Sequence, residues 1–367
     1  MKNTGFRERP FEYMRRRADG EHYPEEVVQN WYIARAFVLD KLKDVAFPPD
    51  FSGHLHAIVD GDSPLMLAVT RQLALSAHYL NYSQRTVISL VTAKEADVIM
   101  GELKKEENLG NLPDYCKYSV SGTVKNEESF VDIELNIVRS RPVDECGILI
   151  TEEEVRAFAA SSDPALLFSI DTRKAVFAGR TYKLGAAVDN LQYEGPYSPG
   201  RYNQALYTFQ YKVLQDKQLL PLIGQDWEMN RAAVMSGVSN IHCSDCFESR
   251  ELAVRRQCSG YDKLSEKKRM ALWEKNNDAL SQSEHNRWLT EKLILGYRPL
   301  NAREMTEFES LFGQEKSAYL SRLKNDPSSP AHIDLCSFRD LRRIDPGNMK
   351  YDSFLVLAIP LILRAIR

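Results

Sequence analysis

The chain is poor in cysteine, with six in 367 residues. That is far below a disulfide-stapled scaffold and reads as the reduced thiols of a cytoplasmic protein. It also lacks an excess of basic charge. Its 48 Lys and Arg stand against 51 Asp and Glu, a formal net charge of -3, which excludes a general nucleic-acid binder. Long apolar runs are missing as well. The stretch FLVLAIPLILRAI (354–366) falls short of the roughly 18 apolar residues a spanning helix needs. It is expected to form a buried helix, and no membrane contact is expected. The first thirty residues alternate charged and aromatic groups without an apolar core, so no secretory signal is expected, and RERPFEYMRRR reads as a solvated terminus. No P-loop, nucleophile elbow or H-E-x-x-H motif occurs, which leaves no catalytic residue to name.

The rest of the composition, 43% hydrophobic and 27% charged, is that of a globular protein, and the length predicts more than one domain. From Pro24 to Asp44, apolar residues at Val27, Trp31, Ala34, Val38 and Leu42 predict a helix. HLHAIVDG then predicts a strand ending in Gly61, followed by a long helix that Asp62 or Ser63 caps and Pro64 opens. Further strands are expected at RTVISLVT, CKYSVSGTV, SFVDIELNIV, CGILI and ALLFSID. Helices are expected at AKEADVIMGELKKEEN and at TEEEVRAFAASS, where Thr151 and Glu154 carry a capping-box signature. Alternation of this kind predicts an α/β fold, with a Rossmann-like, mostly parallel sheet covered by helices on both faces. The expected boundaries are a helical extension at 1–50, the Rossmann-like domain at 51–220, a helical connector at 221–275 and a helical domain at 276–367.

The first βα turn, VDGDSPLML, lies where such a domain holds a phosphate, so Gly61, Asp62 and Ser63 are the candidate cofactor-binding residues and a nucleotide the candidate cofactor. Only one glycine of the G-x-G-x-x-G pattern is present, and Asp60 and Asp62 would repel a pyrophosphate. A structural turn competes with that reading. His242, Cys243 and Cys246 in IHCSDCF lack the second ligand pair that zinc prefers, and no metal ligand is assigned. Arg173 and Arg180 are read as solvated arginines on a helix.

Residues 281–300, SQSEHNRWLTEKLILGYRPL, predict a helix from Ala279 to a terminating Gly296. On it His285, Trp288 and Lys292 share one side, while Glu284 and Arg287 are spaced for a local ion pair worth about 0.5 kcal/mol or less. EHNRWLTEKLILGYRP, then HIDLCSFRDL, then KYDSFLVLAIPLIL resemble, in order, the blocks of the RyR domain, the Ry repeat of ryanodine receptors that also occurs in bacterial and phage proteins. The resemblance covers about the last ninety residues. It departs from the pattern at Tyr297, commonly a tryptophan, and in the charged insertion REMTEFESLFGQEKSAYLSRLKND. Bacterial relatives of this kind place the RyR domain behind a Rossmann-type domain like that of potassium-conductance regulators, and WEMNRAAVMSGV looks like the joining helix.

The resemblance implies a small helical module for ligand recognition or protein contact, a kind with no established catalysis. Glu284, His285, Arg287, Trp288, Lys292, Arg298, His332 and Asp352 are the residues it nominates for binding. A stacking indole, cationic donors and imidazoles suit a planar anionic ligand such as a nucleotide. The expected function is therefore a non-enzymatic sensor of a small anionic ligand or a protein partner. Two other readings stand beside it: an enzyme acting on nucleotide-derived metabolites at the α/β sheet, with a prokaryotic antiviral conflict system as its setting, and an assembly subunit, including a homo-oligomer.

Overall fold

The structure, a computed structural model, describes residues 23–42, 54–78, 85–126, 129–143, 147–162, 174–177, 180–183, 260, 263–326, 328–349 and 352. The expected strand ALLFSID, Arg173, the CxxC pair, the joining helix and the closing apolar helix lie outside these residues. The chain divides into two compact units, one of residues 1–48, 155–281 and 351–367, the other of residues 49–154 and 282–350.

In the first unit α1 (Glu25–Leu42) buries Trp31, Ala34, Val38 and Leu42, four of the five apolar positions that predict it. Trp31 meets Tyr23 edge-on at 4.9 Å, and Phe37 meets Phe158 at 5.5 Å. Phe158 belongs to α5 (Glu152–Ser161), whose start is capped by Thr151 through the Glu154 N–H. Arg180 is not on a helix, contrary to expectation. It opens β8 (Arg180–Lys183), the antiparallel partner of β7 (Lys174–Phe177), because alternating Thr181 and Tyr182 favour extended backbone. Two helices follow, α6 (Glu266–Lys275) and α7 (Asn277–Ile294), the latter continuing into the second unit.

The second unit is built on a mixed six-stranded sheet, an α/β arrangement. Its strands are β1 (His56–Asp60), β2 (Thr86–Val91), β3 (Lys117–Val120), β4 (Thr123–Asn126), β5 (Ile133–Val138) and β6 (Ile148–Thr151). They lie in the order β4-β3-β5-β2-β1-β6, and every neighbouring pair except β3 with β4 is parallel. Central β1 is buried on both faces, as a continuous apolar run between two parallel neighbours requires. CKYSVSGTV makes two strands rather than the single one expected. Ser121 and Gly122 both take positive φ, 47° and 78°, in the two-residue turn that matches hairpin twist.

Between β1 and β2 runs α2 (Pro64–Ser76), buried from Leu65 to Ser76. Ser63, not Asp62, caps it by accepting from the Met66 N–H at 3.4 Å. After α3 (Ala96–Leu103) a tight run of turns leads to α4 (Leu112–Tyr115), and here the sheet meets the C-terminal helices. Helix α7 ends as expected at Gly296 (φ 82°), with the Gly296 N–H bonded to Leu293 O at 3.1 Å and the Tyr297 N–H to Lys292 O at 3.0 Å. Asn111 adds three further bonds at this end: its backbone N–H donates to Leu293 O at 2.9 Å, and its Nδ2 donates to Gly296 O at 2.7 Å and Tyr297 O at 3.0 Å. Gly110 permits the approach. It has φ 52°, and a Cβ there would stand 2.3 Å from Ile294 O.

Beyond α7 the charged insertion forms the helical hairpin α8 (Ala302–Ser310) and α9 (Gln314–Lys324), closed by the Tyr319 hydroxyl bonding Glu304 O and Glu307 Oε2. A short α10 (Phe338–Ile344) follows. Among the described residues no helix is long and apolar enough to cross a membrane. Gly110→Ala should cost about 2 kcal/mol or more, from both the positive φ and the backbone clash. Denaturant unfolding measures this, and an unchanged midpoint would contradict the docking geometry.

Candidate ligand site

Helix α7 carries most of the residues singled out in the sequence, yet it sends them to different tasks. Arg287 is 2% exposed and its partners Glu284 and Glu291 are each 1% exposed. The Arg287 Nε and Nη2 donate to the Glu284 carboxylate at 2.8 to 3.0 Å, and Nη1 donates to Glu291 Oε2 at 2.8 Å. The weak local pair expected at Glu284 and Arg287 is instead part of a buried three-residue cluster. Spacing of three and four residues made it legible only in part, because Glu291 was not read as a member and burial of the helix was not visible.

The other face of the helix is aromatic. His285 stacks on Trp288 with centroids 5.9 Å apart and planes at 24°, and it also meets Phe338 at 5.5 Å. Its Nε2 donates to Cys336 O at 3.0 Å, which assigns the tautomer. His332 meets the Trp288 ring edge-on at 5.1 Å. It is brought there by a parallel bridge between Arg298 and Ala331, in which the His332 N–H bonds Arg298 O and the Arg298 N–H bonds Pro330 O, both at 3.0 Å.

The charge state of His332 follows from its surroundings. Its side chain is 15% exposed, and Nδ1 accepts from the Asp334 N–H at 3.2 Å. Burial first, then the charges of Lys324, Lys292 and His285, lower its pKa from 6.5 to about 3. A neutral imidazole accepting at Nδ1 carries its proton on Nε2, so His332 presents an N–H donor beside the indole. Lys292 lies 5.4 Å from the Tyr297 ring centroid. The arrangement joins a half-buried indole, a neutral imidazole N–H and two lysines whose fields meet at His332. It sets donors and an apolar surface side by side, the chemistry a planar anion takes. Burial pushes the neighbouring Cys336 thiol up to about 12, so it stays protonated.

Arg298 belongs elsewhere. Its guanidinium grips Glu304 through two bonds of 2.7 Å and also donates to Ser329 Oγ at 2.7 Å. That hydrogen-bonded pair holds the Glu304 carboxyl below its usual range. Glu304 in turn completes the capping box of α8 with Asn301. Asp352 is half-buried and belongs to the other unit. Lys324 and Phe338 join the cluster without having been singled out, since nothing in the sequence around them announces a common surface.

At the carboxyl edge of the sheet, Gly61 turns at φ 127° after β1. Asp62 accepts from the Thr92 hydroxyl and lies 3.4 Å from Lys94 Nζ, while Asp60 accepts from Arg141 Nε at 2.9 Å. Ser63 Oγ is taken up by the helix cap. A phosphate at this helix start would meet two carboxylates, with Glu152, Glu153 and Glu154 opening α5 beyond neighbouring β6. Among the described residues no group of three or more His, Cys, Asp or Glu stands ready to hold a metal. The chain matches no family model, no curated protein and no solved structure.

Arg287→Ala should cost about 3 to 5 kcal/mol, because it strands two buried carboxylates. A loss under 1 kcal/mol by denaturant unfolding would contradict the buried cluster. Acidification should also destabilise the fold. The unfolded His332 takes up a proton near pH 6.5 while the folded one waits until about 3, so stability falls as pH drops through that window, by up to about 1.4 kcal/mol per unit. Replacement of His332 by glutamine should flatten that slope in pH-dependent unfolding; an unchanged slope would contradict the assignment.

Proposed function

We propose that the protein is a non-enzymatic cytoplasmic sensor that recognises a planar, anionic, nucleotide-like ligand at the Trp288 and His332 surface. One observation carries this reading: two lysines act on a histidine that stays neutral with its donor N–H beside an indole. Stacking on Trp288 serves a base, His332 Nε2 gives a directed hydrogen bond, and Lys292 with Lys324 attracts the phosphate. The resemblance of residues 284–299 and 332–341 to the RyR domain supports a recognition role for this helical part. The sheet edge is the weaker candidate, since Asp60 and Asp62 occupy the ground a phosphate would need.

The test is thermal shift and tryptophan fluorescence on the full chain with ATP, ADP-ribose, NAD and cyclic AMP. At least one should raise Tm and quench fluorescence, and the quench should vanish in Trp288→Phe. Lys292→Ala should weaken binding tenfold or more, about 1.4 kcal/mol, while lowering the Tm of the free protein only slightly. Absence of a shift with all four ligands would overturn the reading and leave the surface as a protein contact.

A further inference from the structure

We infer that the α8–α9 hairpin is a closing arm of the Trp288 and His332 surface, one that seats Lys324 beside His332 and is itself steadied when a ligand binds. This rests on the ligand reading of that surface. The hairpin holds itself together. Helix α8 buries no side chain and α9 buries Tyr319, whose hydroxyl is spent inside the hairpin on Glu304 O and Glu307 Oε2. Lys316 Nζ lies over the Phe308 ring at 4.4 Å and the Arg322 guanidinium over the Tyr319 ring at 5.0 Å, again pairing one helix with the other or α9 with itself. So little apolar burial fixes the hairpin to the rest of the unit that it should open locally at a lower free energy than the sheet.

Among the described residues, hydrogen bonds tie the hairpin to the rest of the unit at its root. Arg298 Nη1 and Nη2 each donate to the Glu304 carboxylate at 2.7 Å, while its Nε holds Ser329 Oγ. The Ala331 N–H donates to Leu323 O, in the last turn of α9, at 3.0 Å. Both ties converge on one short segment, because the Arg298 backbone bonds Pro330 O and the His332 N–H on either side of Ala331. Lys324 follows Leu323 and His332 follows Ala331, so seating the arm brings the lysine to the imidazole. The Lys324 side chain is exposed, and after burial its charge is the next influence keeping the His332 ring neutral. An anion stacked on Trp288 and bonded by His332 Nε2 meets Lys324 while the arm is seated and loses it when the root opens. Binding and seating are therefore linked, each favouring the other by the same factor.

The test is amide hydrogen exchange of the full chain, alone and with ATP, ADP-ribose, NAD and cyclic AMP. Without ligand, the hairpin amides should exchange at least tenfold faster than those of Ile88 and Leu135. Glu304→Gln keeps a residue that serves in the capping box but loses the charged grip of Arg298. It should speed hairpin exchange at least tenfold further and leave the strands as they were. The nucleotide that raises Tm should slow hairpin exchange at least tenfold, and Lys324→Ala should still bind it, more weakly, yet lose that slowing. If none of the four raises Tm, the ligand reading fails and this inference with it. The inference alone is overturned if one binds without slowing the hairpin, if Lys324→Ala keeps the slowing, if the free hairpin exchanges as slowly as the strands, or if Glu304→Gln leaves it unchanged.

Discussion

The contact on which the second unit turns is made by two adjacent residues, Gly110 and Asn111, at the carboxyl end of α7. A helix ends with carbonyls that have no partner of their own, and a helix end packed against a sheet domain cannot leave them to water. The Gly296 turn satisfies part of this need, and Asn111 satisfies more with one backbone and one side-chain donor. Because a side chain at position 110 would strike the Ile294 carbonyl, only glycine allows the loop to come so near. The direction of α7, and through the bridge between Arg298 and Ala331 the position of His332, follows from that seat.

With the helix seated, its polar residues divide by burial. Arg287 is enclosed with two glutamates, where losing one partner is costly and exchange with a ligand would be costlier still. Trp288, His332 and Lys292 remain on the half-buried side. A cluster that looked in sequence like one crowded functional group is thus two structures back to back, one that holds the helix and one that offers a surface.

Much of the fold was legible because its signals are local. The helix at Trp31 and Val38, the Pro64 start of α2, the glycine stop of α7 and the strands around Val59 and Ile88 all appear where periodicity and capping put them. The hairpin at Ser121 and Gly122 was missed, although a Ser-Gly pair within a strand-like run is a turn signal, because the alternation continues across it. The site was less legible. Partners separated by tens of residues, such as His285 with Cys336 and Trp288 with His332, leave no spacing pattern to read. Nor does composition reveal that Asn111 and Gly296 meet across more than half the chain.

Amide hydrogen exchange under native conditions tests most directly whether sheet and helix form one cooperative structure. The Asn111 amide should exchange as slowly as those of Ile88 and Leu135 in the central strands, opening only when the sheet does. Exchange of Asn111 and Tyr297 through a much lower opening free energy, with the strands still protected, would show a helix resting loosely on the sheet and would contradict the account.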